Sequence, residues 1–521
     1  VTIRPRKVLT PAQMAAVDKA TIESGIPGLI LMENAAHRCV EYLQEKFAPL
    51  SEQRIVVVCG KGNNGGDGLA IARQLYTRFA PRELRVILIA EEAELKGDAA
   101  ENLKMLRAAG VQEYRDFGPE MCTATLVIDA VLGTGLYGPA KGAALSAIRE
   151  INDAFPLAKV FAVDLPSGIN GASGAIPGEY VRADATVTFT APKVCHAIPP
   201  AADLMGDLRI APIGSPMCLY ERDDAISLAL VTPQSIAPHF APRARDSNKG
   251  RYGHVLLVAG SRGKSGAAAM AGLSALRAGA GLVTVACPES ALPAVAAVSP
   301  EVMTAPLPET ASGAIAKAAL QTINKLACER TLVAIGPGIG AEDETKEIVL
   351  DLFSELPKPM VIDADALNCL AGHSGKAPDH LRVLTPHPGE MSRLAQRTIA
   401  EIQADRVSAA RSFAKDRNLM LVLKGEATLT AFPDGRVWIN PTGSPAMATG
   451  GTGDILTGMV AGLLAQFPDA ADTAIAAAVY LHGLAGELAA RDLCEQPVIA
   501  TDLLRYLGEG IRAIREIPHP H

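Results

Sequence analysis

Aromatic side chains are scarce, 4% of 521 residues with one tryptophan, so the cores must be aliphatic and built on Ala, Val, Leu and Ile. The nine cysteines (Cys39, Cys59, Cys122, Cys195, Cys218, Cys287, Cys328, Cys369, Cys494) are scattered and never spaced C-x-x-C. That excludes a zinc knuckle or a disulfide framework and fits a reducing compartment. No run of 18 or more apolar residues occurs, and "VTIRPRKVLTPAQM" lacks the apolar core of a signal peptide. A soluble cytoplasmic chain with no membrane partner is therefore expected. Basic stripes with interleaved aromatics are missing too, and a net charge of −7 argues against a nucleic-acid partner.

What is present is 49% hydrophobic and 20% charged residues, in a chain long enough for two domains. Helical segments come first, "MAAVDKATIESG" and "LILMENAAHRCVEYLQEKF". Continuous apolar runs then alternate with helical patterns: "RIVVVCG" (54–60), "RVILIA" (85–90), "TLVIDAV" (125–131), "KVFAVDLP" (159–166) and "ATVTFT" (185–190). Such runs are the mark of a parallel sheet covered on both faces, which predicts a Rossmann-like three-layer α/β domain. Around 212–250 the texture turns rich in proline and charge, as in a linker. A second α/β series follows: "GHVLLVAGS" (253–261), "GLVTVACP" (281–288), "TLVAIGPG" (331–338), "MVIDADAL" (360–367), "RVLTPHPGE" (382–390) and "LMLVLKGE" (419–426). The chain beyond the glycines at 450 reads as helix. The expected domains are residues 1–222 and 223–521.

Ligands of parallel α/β sheets sit at the carboxyl ends of the strands. In the second half that edge carries Gly336, Gly338, Asp363, Asp365, His387, Glu390, Lys424 and Gly425. It is joined by "NPTGSPAMATGGTGDILTG" (440–458), a phosphate-type loop without the Walker lysine. Unpaired N–H groups at a helix start receive phosphate without any lysine. Asp454 is then free to accept a proton from an attacking hydroxyl. Taken singly, Asp454 also reads as a helix cap, "GPGIG" as a tight turn and His387 as a structural histidine. Their shared position at strand ends, with Asn440, Thr442 and Thr449 beside the loop, favours a site.

The first half holds "CGKGNNGGDGLAIAR" (59–73) between a strand and a helix, without the G-x-G-x-x-G spacing of ordinary NAD binding. Its asparagines offer carbonyl oxygens, ligands for a hard cation. Asp129 and Ser167 end strands at the same edge, so Asn64, Asp129 and Ser167 could converge on one monovalent ion; capping is the simpler reading of Ser167 alone.

The motifs "GHVLLVAGSRGKSGAAAMAG", "RAGAGLVTV", "IGPGIG", "VIDADAL", "TPHPGEMSRL", "LVLKGEATL" and "NPTGSPAMATGGTGD", over about 223–510, resemble the ADP/ATP-dependent NAD(P)H-hydrate dehydratases of the ribokinase-like superfamily. That resemblance implies a ribokinase-like α/β domain. It implies an adenine nucleotide against Lys424, Gly425, Glu426, Ala427, Thr428 and Gly453, and hydrated nicotinamide nucleotide near Ala268, Gly338, His387 and Asp454. It further implies Asp454 as the base, ADP as the consumed phosphoryl donor, and Mg2+ shielding the polyphosphate. Ser444 and Ala446 stand where asparagine and glycine are expected.

"LMENAAHRCVE", "GKGNNGGDGLAIAR", "DAVLGTGLYGP", "VDLPSGING" and "TAPK", over about 8–215, resemble the NAD(P)H-hydrate epimerases. The resemblance implies substrate binding by Asn63, Asn64, Gly65, Gly66 and Asp67, by Gly133, Thr134, Gly135, Leu136, Tyr137, Gly138 and Pro139, and by Asp164. It implies potassium on Asn64, Asp129 and Ser167, and acid–base work by Asp164 and Lys193; "VCHAIPP" after Lys193 departs from the small, glycine-containing continuation expected. Together the halves imply repair of NADHX and NADPHX in one chain, expected as a homo-oligomer. The rival readings are a small-molecule kinase fused to a nucleotide-binding regulator, and a non-catalytic nucleotide sensor in the first half.

Overall fold

Alternate residues of Arg54–Cys59 enter two different cores. Ile55, Val57 and Cys59 pack beneath helices on one face of a sheet, and Val56 and Val58 beneath a helix on the other. This strand, β1, lies near the middle of a seven-stranded sheet in a computed structural model that describes residues 4–517. The others are β2 (Glu83–Leu88), β3 (Glu113–Tyr114), β4 (Leu126–Ala130), β5 (Lys159–Val163), β6 (Ala185–Phe189) and β7 (Asp207–Ala211). All pair in parallel, in the order β3-β2-β1-β4-β5-β6-β7. Helices α1 (Pro11–Glu23), α2 (Gly28–Phe47), α3 (Asn63–Phe79), α4 (Gly97–Ala108) and α5 (Gly142–Asp153) accompany it. The cores under α2, α3 and α4 on one face and under α5 on the other make the three-layer Rossmann-like arrangement. The strand order reverses between β1 and β4, the place where such sheets bind ligands.

The glycine-rich stretch after β1 is mostly helix rather than loop, because α3 already starts at Asn63. Its glycines permit a close approach: a Cβ on Gly65 would lie 1.9 Å from the Gly60 carbonyl oxygen.

The chain divides into two units, Arg6–Ile226 and a second made of the part from Ser227 onward together with Arg4 and Pro5. Leu219, Tyr220 and Ile226 pack with Leu9, Met14 and Val17 in the first unit. Beyond Ile226 the expected linker is already structure. Leu228–Leu230 is β8, parallel to Val437–Ile439. Three residues are too few to carry a periodicity, and the flanking prolines hide them.

The second unit adds β9 (His254–Val258), β10 (Leu282–Pro288), β11 (Met303–Leu307), β12 (Leu332–Ile335), β13 (Met360–Ile362), β14 (Arg382–Leu384) and β15 (Met420–Leu423). A closing β16 (Leu429–Ala431) and β17 (Val437–Ile439) follow. Their order is β8-β17-β16-β15-β14-β13-β12-β9-β10-β11, parallel from β11 to β15 and antiparallel at β15–β16–β17. Helices α6 (Ser265–Arg277), α7 (Pro388–Ala395), α8 (Thr452–Gln466), α9 (Ala471–Leu493) and α10 (Ala500–Glu516) bear on the site. Helices α6 and α8 touch backbone to backbone, since a Cβ on Gly458 would lie 2.1 Å from the Ala271 carbonyl oxygen. Among the described residues, Pro468–Leu493 is the one helical stretch long and apolar enough to cross a membrane. Its most apolar 18-residue window is 72% buried within the fold, as in a core helix.

Candidate functional site

In the first unit a cavity of about 750 Å³ opens at the β1/β4 switch. Asn63, Asn64, Asp67, Gly133, Thr134, Gly135, Leu136, Asp164 and Lys193 line it. Other expected residues stand elsewhere. Gly65 and Gly66 are packed beneath, Pro139 lies against Gly178, and Tyr137, beside the left-handed Gly138, is 77% exposed.

Lys193 is 2% exposed, and its ammonium donates to Asp164 Oδ1 (2.7 Å), Thr188 Oγ1 (2.8 Å) and the Phe189 carbonyl (3.1 Å). Those are all three of its N–H bonds. Burial alone would raise the Asp164 carboxyl, but the charge and hydrogen bond of Lys193, with help from His196 and the Thr188 hydroxyl, together hold Asp164 below its ordinary value. Asp164 has φ +68°, a conformation costly for a non-glycine residue and typical of functional positions. The divergent "VCHAIPP" segment braces the pair. His196 Nδ1 accepts from the Lys193 backbone N–H (2.9 Å), and its Nε2 donates to the Asp164 carbonyl (2.9 Å). Burial lowers His196 to about 4, so it is neutral.

Asp129 is fully buried at the end of β4, where burial raises it to about 6. Its carboxylate accepts from Ser167 Oγ (2.6 Å), Ser167 N (2.7 Å) and Val131 N (3.2 Å). Ser167 Oγ in turn accepts from Leu132 N (2.8 Å). Asn64, beside Gly133, has both amide atoms buried with no partner. An orphaned amide oxygen, following a strand paired with the one that ends in a buried carboxylate and its hydroxyl partner, is a donor set suited to a singly charged cation.

In the second unit the sheet reverses between β9 and β12, where Gly260 N donates to the Pro337 carbonyl and Ser261 Oγ to the Gly338 carbonyl (both 2.7 Å). Ala268 is buried under this turn. Asp365 receives Gly340 N (2.9 Å) and the Lys264 ammonium (3.1 Å). Between the two aspartates Ala364 sits at φ +50°, which splays their side chains from one short stretch.

Lys424 donates to Asp363 Oδ1 (2.8 Å) and lies 3.9 Å from Glu390 Oε2. Thr457 on α8 donates to the other Asp363 oxygen. Glu390 Oε2 receives the His387 backbone N–H (2.8 Å), while His387 Nδ1 accepts from Gly389 N (3.0 Å) and caps α7. Burial raises Glu390 to about 7 against the opposing pull of Lys424. Gly453 belongs to the same cluster, since a Cβ there would lie 3.4 Å from Lys424 Nζ. Gly425, Glu426, Ala427 and Thr428 form the β15–β16 turn, braced by Arg406 on the Glu426 carbonyl.

Asp454 stands in the first turn of α8, whose N-cap is Gly451 at φ +96° with no side-chain capping bond. The capping reading of Asp454 is therefore not what this helix start uses. Burial, reinforced by Asp363 and opposed by Lys424, raises Asp454 to about 6. From α9, buried His482 donates through Nε2 to the Thr452 carbonyl (3.0 Å) and pins the turn. Among the described residues no group of three or more His, Cys, Asp or Glu side chains is arranged to hold a metal.

Sequence reasoning missed Asp18, which also lines the first-unit cavity, as well as His196 and the Lys424–Asp363–Thr457 network. Asp18 carried no signal at all, since an aspartate on a helix reads as solvated.

A family model described as NAD(P)H-hydrate dehydratase matches residues 255–508, and one described as YjeF-related protein N-terminus matches 28–195. The bifunctional NAD(P)H-hydrate repair enzyme of Moorella thermoacetica is 41% identical, with 98% of this chain and 97% of that protein covered. The enzyme so named from Thermofilum pendens is 38% identical over the same shares. A solved ADP/ATP-dependent NAD(P)H-hydrate dehydratase from Bacillus subtilis, co-crystallised with ATP and Mg2+, is 32% identical, with 55% of this chain and 98% of that chain covered at a TM-score of 0.49. With near-complete coverage at such identity, the chain belongs to the bifunctional NAD(P)H-hydrate repair enzymes.

Proposed function

We propose that the first unit interconverts the R and S epimers of NADHX and NADPHX, and that the second dehydrates the S epimer at the expense of ADP. The observation that carries the second half is Asp454, a carboxylate in the first turn of an anion-binding helix start with no capping duty. In this reading the α8 N–H groups and Lys424 receive the polyphosphate. Asp454 takes the proton of the C6 hydroxyl as its oxygen attacks the terminal phosphoryl group, releasing AMP. The ring nitrogen then expels phosphate from C6, and loss of the C5 proton restores the dihydronicotinamide. Ala268, Gly338 and His387 border the hydrated ring, and the Lys424–Thr428 turn with Gly453 borders the nucleotide. Magnesium, brought on the phosphates, supplies charge neutralisation.

In the first unit Asn63, Asn64, Asp67, the Gly133–Leu136 segment and Asp164 hold the substrate, and Asp164 exchanges the proton of the C6 hydroxyl. Lys193, with its donors committed, acts through its charge on Asp164. Asn64, Asp129 and Ser167 would hold potassium, which supplies a positive charge beside the substrate loop. The reading places the chain in the cytoplasm as a homo-oligomer acting on nucleotides, without nucleic-acid or membrane partners.

The test is incubation of purified protein with mixed R and S hydrates and ADP. Return of the reduced-cofactor absorbance with release of AMP and phosphate is expected. Accumulation of a stable phosphorylated product would instead favour a small-molecule kinase.

A further inference from the structure

Lys193 leaves the N-terminal cavity short of a proton donor. Inverting C6 of a hydrated dihydronicotinamide needs one, because C6 is a carbinolamine carbon. As a base takes the hydroxyl proton, C6=O forms, the C6–N1 bond breaks and N1 takes up a proton. Rotation about C5–C6 and the reverse sequence close the ring on the other face, with no net gain of atoms, protons or electrons. Asp164 is held ionised and suits the oxygen; Lys193 has no N–H left for N1.

Met14, Asp18 and Ile22 follow one another at four-residue spacing on α1, and all three line the cavity. Asp18 thus projects from the helix face turned toward Asp164 and Lys193, which line the same space. Its Oδ1 is buried and has no hydrogen-bond partner, which is costly unless a ligand satisfies it. We propose, on the footing of the epimerase reading above, that Asp18 is the second acid–base residue of this site, giving N1 its proton as the ring opens and recovering it on closure.

The charges around Asp18 support the pairing. Lys193, Asp164 and Asp67 face it from the sheet side and α3. Lys61 is paired with Glu94 at 3.0 Å; Asp98, packed on Gly28, and Lys141 complete the charged wall. Burial, opposed by Lys193 and reinforced by Asp164, raises Asp18 to about 6, while Asp164 is held low. Two carboxyls whose environments push them apart make an acid and a base. Asp67 is pushed much higher by burial and by both neighbours, and so releases its proton less readily.

The experiment follows R/S interconversion chromatographically in the full chain without ADP, for the natural protein and for Asp18→Asn and Asp18→Glu, with ADP-dependent consumption of the S epimer as the internal control. Asp18→Asn should lose ~10²- to 10⁴-fold in interconversion with S consumption unchanged. The natural protein should slow as pH rises above about 6, because Asp18 must carry its proton, and Asp18→Glu should recover part of the rate with that limb displaced. Interconversion by Asp18→Asn within about threefold of the natural rate overturns the proposal while leaving the epimerase reading intact. Equal loss in both variants with no displaced limb also overturns it, and assigns Asp18 to packing. If the natural protein itself fails to interconvert the epimers, the epimerase reading falls first, and the proposal with it.

Discussion

The Lys424 ammonium reaches past the end of β14 to Asp363 at the end of β13, 2.8 Å away, and Asp363 is 2% exposed at its side chain. Burial would lower Lys424, but Asp363 and Glu390 outweigh it and keep the lysine charged. Removing one partner of a buried pair leaves the other uncompensated. Lys424→Met should therefore cost ~3–5 kcal/mol in denaturant unfolding of the second unit, and weaken ADP binding in calorimetric titration. Unchanged unfolding would mean that Thr457 alone satisfies Asp363.

Asp454→Asn should cut dehydration ~10²- to 10⁴-fold while ADP still binds. The natural rate should fall as pH drops below about 6, where the base becomes protonated. Stability should move the other way. A carboxyl raised in the folded state binds its proton more tightly there than in the unfolded chain, so its ionisation destabilises the fold at higher pH. Asp454→Asn should then melt above the natural protein at about pH 8, with the gap closing by about pH 4. Near-normal turnover by the variant would remove Asp454 from catalysis.

How much of this was legible followed from length and burial. Runs such as Arg54–Cys59 and His254–Val258 are apolar throughout because both faces of a parallel strand are covered. The short β8, β16 and β17 are three residues each, too few to show a period, and β8 pairs only with a partner some two hundred residues on, about position 437. Strand ends placed Asp129 and Ser167 at one edge, and they touch at 2.6 Å. What strand ends cannot convey is a residue delivered from a flanking helix, such as Asp18 on α1 or His482 on α9. Lys193 looked free to exchange protons until its three acceptors appeared.

Epimerisation should require a potassium-sized monovalent cation, because the unpartnered Asn64 amide and the Asp129–Ser167 pair, at the same edge of the sheet, bring two neutral oxygens and a single negative charge. ADP-dependent consumption of the S epimer should not share that requirement. Epimerisation at full rate in buffer free of potassium and sodium would contradict the cation assignment.

Separate expression of 4–226 and 227–517 should give two folded fragments with the activities divided, since each has its own sheet and its own core. The cut must fall before Leu228, because β8 belongs to the second sheet. A cut after Val231 should leave β17 unpaired on that side and lower the melting temperature of the second fragment. Equal melting of the two versions would make β8 dispensable.

The division of labour between the units is tested most directly by resolving the R and S epimers during ADP-driven repair by the full chain and by its Asp164→Asn variant. The natural protein should consume both epimers to completion. The variant should consume S at the natural rate and then stall, leaving R to disappear only by spontaneous epimerisation. Consumption of R and S at comparable rates by the variant would show that the second unit accepts both, and would contradict the account.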